Sequence, residues 1–257
     1  MLSRSEERLL RALQHRKART TQGFFLAEGV RVVEELVRSG IDLQFAVVST
    51  TLEDTPRGQY IQSALESRTT VHVVSERTLK DLAATEQPQG VLVAAREPAR
   101  ALTDLHIETI ARVLVSDAVQ DPGNLGTLIR AADAFAAAAV ILLPGSVDAW
   151  NPKVVRSAAG SSFHLPIVSA PQPELSTWLR AQQFQTLGAA VDGQPLAAAK
   201  LPARVALVVG NEGAGLRAET RALIDRMIGI PTPGRAESLN VGVAAGILMY
   251  LLAQQQA

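Results

Sequence analysis

Apolar residues return along this chain in two alternating rhythms. Between Gly29 and Gly40, Val32, Val33, Leu36 and Val37 recur at helical spacing, and Gly40 stands where a helix closes on a left-handed residue. Residues 43–48 read as a strand, 59–66 as a helix, 71–74 as a strand, 76–84 as a helix and 91–95 as a strand. This predicts a small α/β unit over residues 1–96. Residues 97–110 carry Pro98, several charges and little periodicity, and read as a linker.

The alternation restarts and fills 111–257. Strands are expected at 112–116, 139–143, 166–168, 186–191, 205–209 and 227–230. Helices are expected at 124–137, 152–159, 174–183, 216–225 and 238–253, with Asn151 as N-cap and Pro152 in the first helical position of the second. Strands alternating with helices predict an α/β fold, a parallel sheet covered by helices on both faces.

Composition narrows the chemistry. The chain has 257 residues, 47% apolar and 19% charged, with no cysteine. Disulfides, zinc–thiolate sites, cysteine-ligated clusters and a cysteine nucleophile are excluded. His15, His72, His106 and His164 show no ligand spacing, so no metal is expected. The opening MLSRSEERLL has no apolar core, so no signal peptide is expected, and no apolar run suits a membrane span. Net charge is zero, but residues 1–20 hold six basic and two acidic side chains. That basic arm has two readings, a phosphate-contacting surface or a solvated helix face.

In open α/β sheets, ligands bind beyond the carboxyl ends of strands. Three glycine- or proline-rich turns follow predicted strands: Asp121-Pro122-Gly123-Asn124-Leu125-Gly126, with Arg130 on the helix behind it; Gly210-Asn211-Glu212-Gly213-Ala214-Gly215; and the stretch from Ile230-Pro231 to Glu237-Ser238-Leu239-Asn240. There is no GxxxxGK[ST] and no GxSxG. A loose dinucleotide match at Gly213-Ala214-Gly215-Leu216-Arg217-Ala218 lies late in the chain and away from its strand, which argues against a nucleotide-dependent oxidoreductase. Each turn alone reads as an ordinary turn. Their joint occurrence, in order, in one α/β domain does not.

Together the three turns resemble the SpoU (TrmH-like) class of the SPOUT superfamily of RNA methyltransferases, over 111–257. The segment Phe24-Phe25-Leu26-Ala27-Glu28-Gly29, running into Val33-Glu34-Glu35, resembles the opening of a ribosomal-protein-like RNA-binding domain often fused upstream. The resemblance implies a deep trefoil knot, S-adenosyl-L-methionine as methyl donor, a cytoplasmic homodimer, and methylation of a ribose 2′-hydroxyl, with ribosomal RNA preferred over transfer RNA. It places Arg130 and Asn124 beside the ribose and its phosphate. Glu212 then orients one of them, and Ser238 and Asn240 orient cofactor, ribose or loops. It assigns cofactor binding to Leu187, Gly188, Gly210, Asn211, Ile230, Ser238 and Leu239. The competing reading is a noncatalytic RNA-binding protein that keeps the fold. Lys153 and Arg156, three apart on one predicted helix, read equally as RNA contacts or as solvated cations.

Overall fold

The computed structural model describes residues 2–196 and 201–255. The chain runs α1 (Arg4–Ala12), α2 (Arg16–Gln22), β1 (Phe24–Glu28), α3 (Val30–Arg38), β2 (Leu43–Ser49), α4 (Pro56–Glu66), β3 (Val71–Val74), α5 (Glu76–Leu82) and β4 (Val91–Arg96). It continues through β5 (Ala111–Ser116), α6 (Pro122–Ala134), β6 (Ala139–Leu142), α7 (Pro152–Ala158), β7 (Ile167–Ser169), α8 (Gln172–Ala181), β8 (Gln185–Pro195), β9 (Arg204–Val209), α9 (Ala218–Arg221), β10 (Arg226–Gly229) and α10 (Val241–Gln255). These elements form two compact units. The first joins the residues up to Ala99 with Asp148–His164, and the second joins Arg100–Val147 with the residues from Leu165 onward.

The first unit is a four-stranded mixed sheet in the order β1-β4-β2-β3. Both β1 and β2 run antiparallel to β4, while β3 runs parallel to β2. Strand β1 went unpredicted: Phe25 to Glu28 are all buried, so no polar alternation marks it. Side chains alternate between sheet faces. On one face Leu26, Phe45, Val47, Leu92 and Ala94 pack with Leu10 and Leu13 before α2 and Leu79 and Leu82 of α5. Phe25 instead meets Trp150 and Phe163, with ring centroids 4.6 and 5.9 Å away.

Those two rings belong to the excursion 148–164, which includes α7. Two charge pairs hold it. Arg19, 2% exposed, donates from Nε to Asp148 Oδ2 at 2.8 Å, and Arg156 lies 3.5 Å from the buried carboxylate of Glu28. Burial, and then Asp148, raise the Glu97 carboxyl above its ordinary value against the pull of Arg19. Of the two cations expected to act alike, Arg156 is thus half-buried against Glu28, while Lys153 is exposed.

The second unit is a six-stranded sheet in the order β10-β8-β9-β5-β6-β7, parallel throughout, as its hydrophobic runs predicted. The chain steps from β5 outward to β6 and β7, then returns on the other side of β5. The order therefore reverses between β5 and β9, which defines a topological switch point at their carboxyl ends. Val113, Val115, Ile141 and Val208 fill one face, with Trp178 stacked on Phe184 at 5.3 Å. The helix expected at 216–225 is only the single turn Ala218–Arg221. Arg217 before it is bound to Asp117, and Asp225 after it accepts from Thr186 N at 2.7 Å, which starts β10. Where β8 passes β10, a Cβ at Gly193 would stand 2.2 Å from the Ile228 carbonyl carbon, so only glycine permits this crossing.

Candidate active site

Loops after β5 and β9 flank the switch point, and hydrogen bonds fix each one locally. Asp121 caps α6 by accepting from Asn124 N at 2.9 Å, and Pro122 takes the first helical position. This start, two residues earlier than expected, sets Asn124 in the first turn. After β9, Asn211 Oδ1 accepts from Gly213 N and Ala214 N, each at 3.0 Å, and its Nδ2 donates to the Ala118 carbonyl at 2.9 Å. Gly215 closes this loop in the left-handed region, φ 67°. A Cβ at Gly210 would lie 2.3–2.5 Å from the backbone of Gly215 and Leu216. Gly210 is therefore required by the loop itself.

The three motif turns meet through one line of hydrogen bonds. Glu212 Oε1 accepts from Asn124 Nδ2 at 2.9 Å and from Asp121 N at 3.3 Å. Asn124 Oδ1 accepts from Asn240 Nδ2 at 2.8 Å. Asn240 Oδ1 in turn accepts from Gly242 N at 2.9 Å and caps α10. Burial works to raise the Glu212 carboxyl, but hydrogen bonds from Asn124 and from backbone N–H groups outweigh it and hold it below the ordinary 4.5. Glu212 is thus an anion and a weak base.

Beneath this line, the fully buried Asp117 accepts from Arg217 Nε at 2.6 Å and Arg217 N at 2.9 Å. The pair ties the end of the 210–217 loop to the carboxyl end of β5. Sequence reasoning missed it, because the partners lie 100 residues apart and each reads singly as a surface residue.

A cleft of about 550 Å³ opens beside these loops. Gly210, Asn211, Glu212, Ile230, Ser238, Leu239 and Asn240 line it, as do Thr232, Ala244 and Leu248, which the sequence did not single out. Leu187 and Gly188 do not line it. Leu187 is wholly buried, and Gly188 packs against Met227, Ile224 and Leu216. Strand β8 reaches the cleft just beyond them, at Ala189 and Ala190. Arg130 is exposed on α6 and stands outside the hydrogen-bonded line. It follows Gly123 and Thr127 along one helix face, and Thr127 faces Gly242 of α10.

A parallel sheet with these loops at its switch point defines a class, and the chain belongs to it: the SpoU rRNA methylase family, whose model matches residues 111–250. Residues 8–93 match the MRM3-like substrate binding domain. Among individual relatives, the chain is 40% identical over 242 residues to the 23S rRNA (guanosine(2553)-2′-O)-methyltransferase RlmP of Bacillus subtilis, covering 93% of this chain and 92% of the relative. It is 31% identical to a 23S rRNA (uridine(2479)-2′-O)-methyltransferase of Streptomyces viridochromogenes, covering 95% and 87%. The SpoU methyltransferase AviRb of that organism, solved with AdoMet, superposes with a TM-score of 0.90 at 28% identity over 99% of this chain and 98% of its own. An AdoMet-bound rRNA methyltransferase of Sinorhizobium meliloti gives 0.88 at 29% identity, over 100% and 97%.

Proposed function

We propose that this chain is an S-adenosyl-L-methionine-dependent methyltransferase acting on a ribose 2′-hydroxyl of RNA, with ribosomal RNA its substrate in preference to transfer RNA. The line Glu212–Asn124–Asn240 carries this reading, since it joins all three motif turns at the mouth of one cleft. The 2′-O-methyltransferase activities for which its rRNA-modifying relatives are named support it.

The cleft fits the cofactor. Its volume lies within the range of small-molecule sites, Ile230, Leu239 and Leu248 offer an apolar wall, and strand ends at Ala189 and Gly210 offer backbone groups. Gly210, Asn211, Ile230, Ser238 and Leu239 hold it in this reading. Leu187 and Gly188 act from behind, by fixing the end of β8. When bound, S-adenosyl-L-methionine supplies an electrophilic methyl group. The chain's own residues do the positioning. Arg130 holds the phosphate next to the target ribose and stabilises the developing alkoxide, since a guanidinium keeps its charge and donates from a planar fork. Glu212, an anion and a weak base, fixes which way the Asn124 amide points. Asn240 receives that orientation and transmits it to the start of α10, and Ser238 stands at the cleft for the cofactor or the ribose.

The reading extends to assembly. Helix α10 is apolar all round. Its buried side carries Ala245, Leu248, Met249 and Leu252, while Val243, Ile247 and Tyr250 are 50, 36 and 48% exposed. At 15 residues it is shorter than the roughly 20 needed to cross a bilayer, so the stripe suits a protein partner. A second copy of this chain is that partner, in a homodimer. The chain works in the cytoplasm, with residues 1–96 binding RNA, 97–110 linking and 111–257 carrying the knotted catalytic domain, apart from the excursion 148–164 that completes the first unit.

Radiolabelled S-adenosyl-L-methionine, total RNA lacking the modification, fractionation and nucleoside analysis test the activity. Label on a 2′-O-methyl nucleoside of ribosomal RNA is expected. Cofactor binding without label on any RNA overturns the reading in favour of a noncatalytic RNA binder.

A further inference from the structure

The basic arm at the start of the chain has a surface that the catalytic reading does not use. Arg4, Arg8 and Arg11 follow one another along one face of α1, and Arg16 and Lys17 continue from the next turn onto α2. All five are exposed, and none has a side-chain partner among the described residues. The opposite side of α1 is spent on the core through Leu10. Of the two carboxylates on α1, Glu6 is engaged by Ser3 and by His72 Nε2 at 2.9 Å. Elsewhere in this unit Arg38 and Arg57 are neutralised by Glu34, and the exposed Arg31 and Arg77 stand singly rather than in a stripe.

Helix physics works against this placement. Arg4 lies in the first turn of α1, and Arg16 and Lys17 lie in the first turn of α2, which holds no acidic residue. The amino end of a helix carries partial positive charge, so cations there cost stability. Five adjacent cations also repel one another. Arg11, in the last turn of α1 and four residues after Glu7, is favoured where it stands. Arg4, Arg8, Arg16 and Lys17 have no such local account, and a bound polyanion supplies one.

We infer that the outer face of α1 and the start of α2 form a phosphate-binding surface for RNA, contacting the sugar–phosphate backbone without reading bases. This rests on the proposal that the substrate is RNA. The Arg4–Arg11 stripe spreads charge over roughly 10 Å of helix, so it engages a few consecutive phosphates. Its contribution is independent of sequence and is carried by counterion release.

The test measures the affinity of the full chain for unmodified ribosomal RNA transcribed in vitro, across about 0.05–0.3 M KCl. Each lost phosphate contact lowers the slope of log K against log salt by about 0.7–0.9. The triple variant Arg4→Ala, Arg8→Ala, Arg11→Ala should lose about two units of slope and bind roughly 10- to 100-fold more weakly near 0.1 M salt. Its loss should be the same on an unrelated RNA, its S-adenosyl-L-methionine affinity should stay at the wild-type value, and its thermal midpoint should not fall. The corresponding triple Arg→Lys variant should keep the wild-type slope, which a role in packing does not predict. Unchanged slope and affinity in the alanine variant, with wild-type methylation of ribosomal RNA intact, overturn this surface alone. Wild-type protein that binds no RNA at any salt overturns the proposed substrate together with it.

Discussion

The two sheets place their chemistry by opposite rules. In the six-stranded sheet every neighbour is parallel, so all strands end at one edge and the loops after β5 and β9 meet there. Asn124 joins Glu212, 88 residues away, and Asn240, 116 residues away, within hydrogen-bond distance. The four-stranded sheet mixes directions, and its strand ends divide between two edges. Its polar cluster is more local: Thr51 meets Ser49 and donates to Glu76. What this unit offers a polyanion lies on a helix face instead. A parallel sheet concentrates polar loops where positioning of atoms matters, while a mixed sheet supports a surface where charge alone suffices.

Substitutions at the parallel edge should therefore cost turnover, and those on the helix face should cost affinity. The largest effect is expected from Arg130→Ala, which should lower kcat by about 10²–10³-fold while cofactor affinity, read by calorimetry, holds. Near-normal turnover would remove the role given to Arg130. Next come the two acid–arginine pairs. Asp148→Ala strands the buried Arg19, at a cost of about 3 kcal/mol in denaturant unfolding; Asp117→Ala leaves Arg217, a third exposed and still paired with Glu219, and should cost less, about 1–2 kcal/mol. Only Asp117→Ala should also weaken cofactor binding, because only that pair holds the 210–217 loop; equal losses from both would erase the contrast. Gly210→Ala drives a Cβ into the backbone of Gly215, costing about 1–3 kcal/mol and most of the cofactor affinity. Wild-type calorimetry for that variant would show that the loop tolerates opening.

The smallest effect concerns pH. The Glu212 carboxyl is held below its ordinary 4.5, so its hydrogen bonds add stability above that value and lose it as pH falls through the lower folded value. The side chain is exposed, so the effect should stay below about 1 kcal/mol. Stability measured from neutral pH into acid should converge for wild type and Glu212→Gln. A constant gap between them would dissociate the charge from the loop.

Much of this was legible from residue order. The spacing of Val32, Val33 and Leu36 marked α3, and continuous apolar runs marked β5, β6 and β9, because buried parallel strands need apolar side chains on both faces. Asn124, Glu212 and Asn240 were singled out because their three turns, taken together and in order, resemble one family; each turn alone reads as an ordinary turn. Other features depend on partners distant in sequence. The helix expected from Leu216 begins only after Arg217, which is extended and bound to Asp117. Leu187 and Gly188 lie behind Ala189 and Ala190, the residues by which β8 reaches the cleft; nothing local marks where a buried strand emerges. Trp150 and Phe163 lie between two predicted strands of the second unit, and only their contact with Phe25 shows which core they complete.

That last contact bears on how the protein is made. A chain emerges from the ribosome amino end first, and domains commonly fold as they emerge. Here the amino-terminal unit cannot close its core when residue 99 has appeared, because Trp150 and Phe163 and the carboxylate that neutralises the buried Arg19 are still to come. Translation must pass through β5, α6 and β6 before the first unit is complete. During that interval Phe25 is left open on a half-built sheet, and a nascent-chain chaperone has an apolar surface to hold.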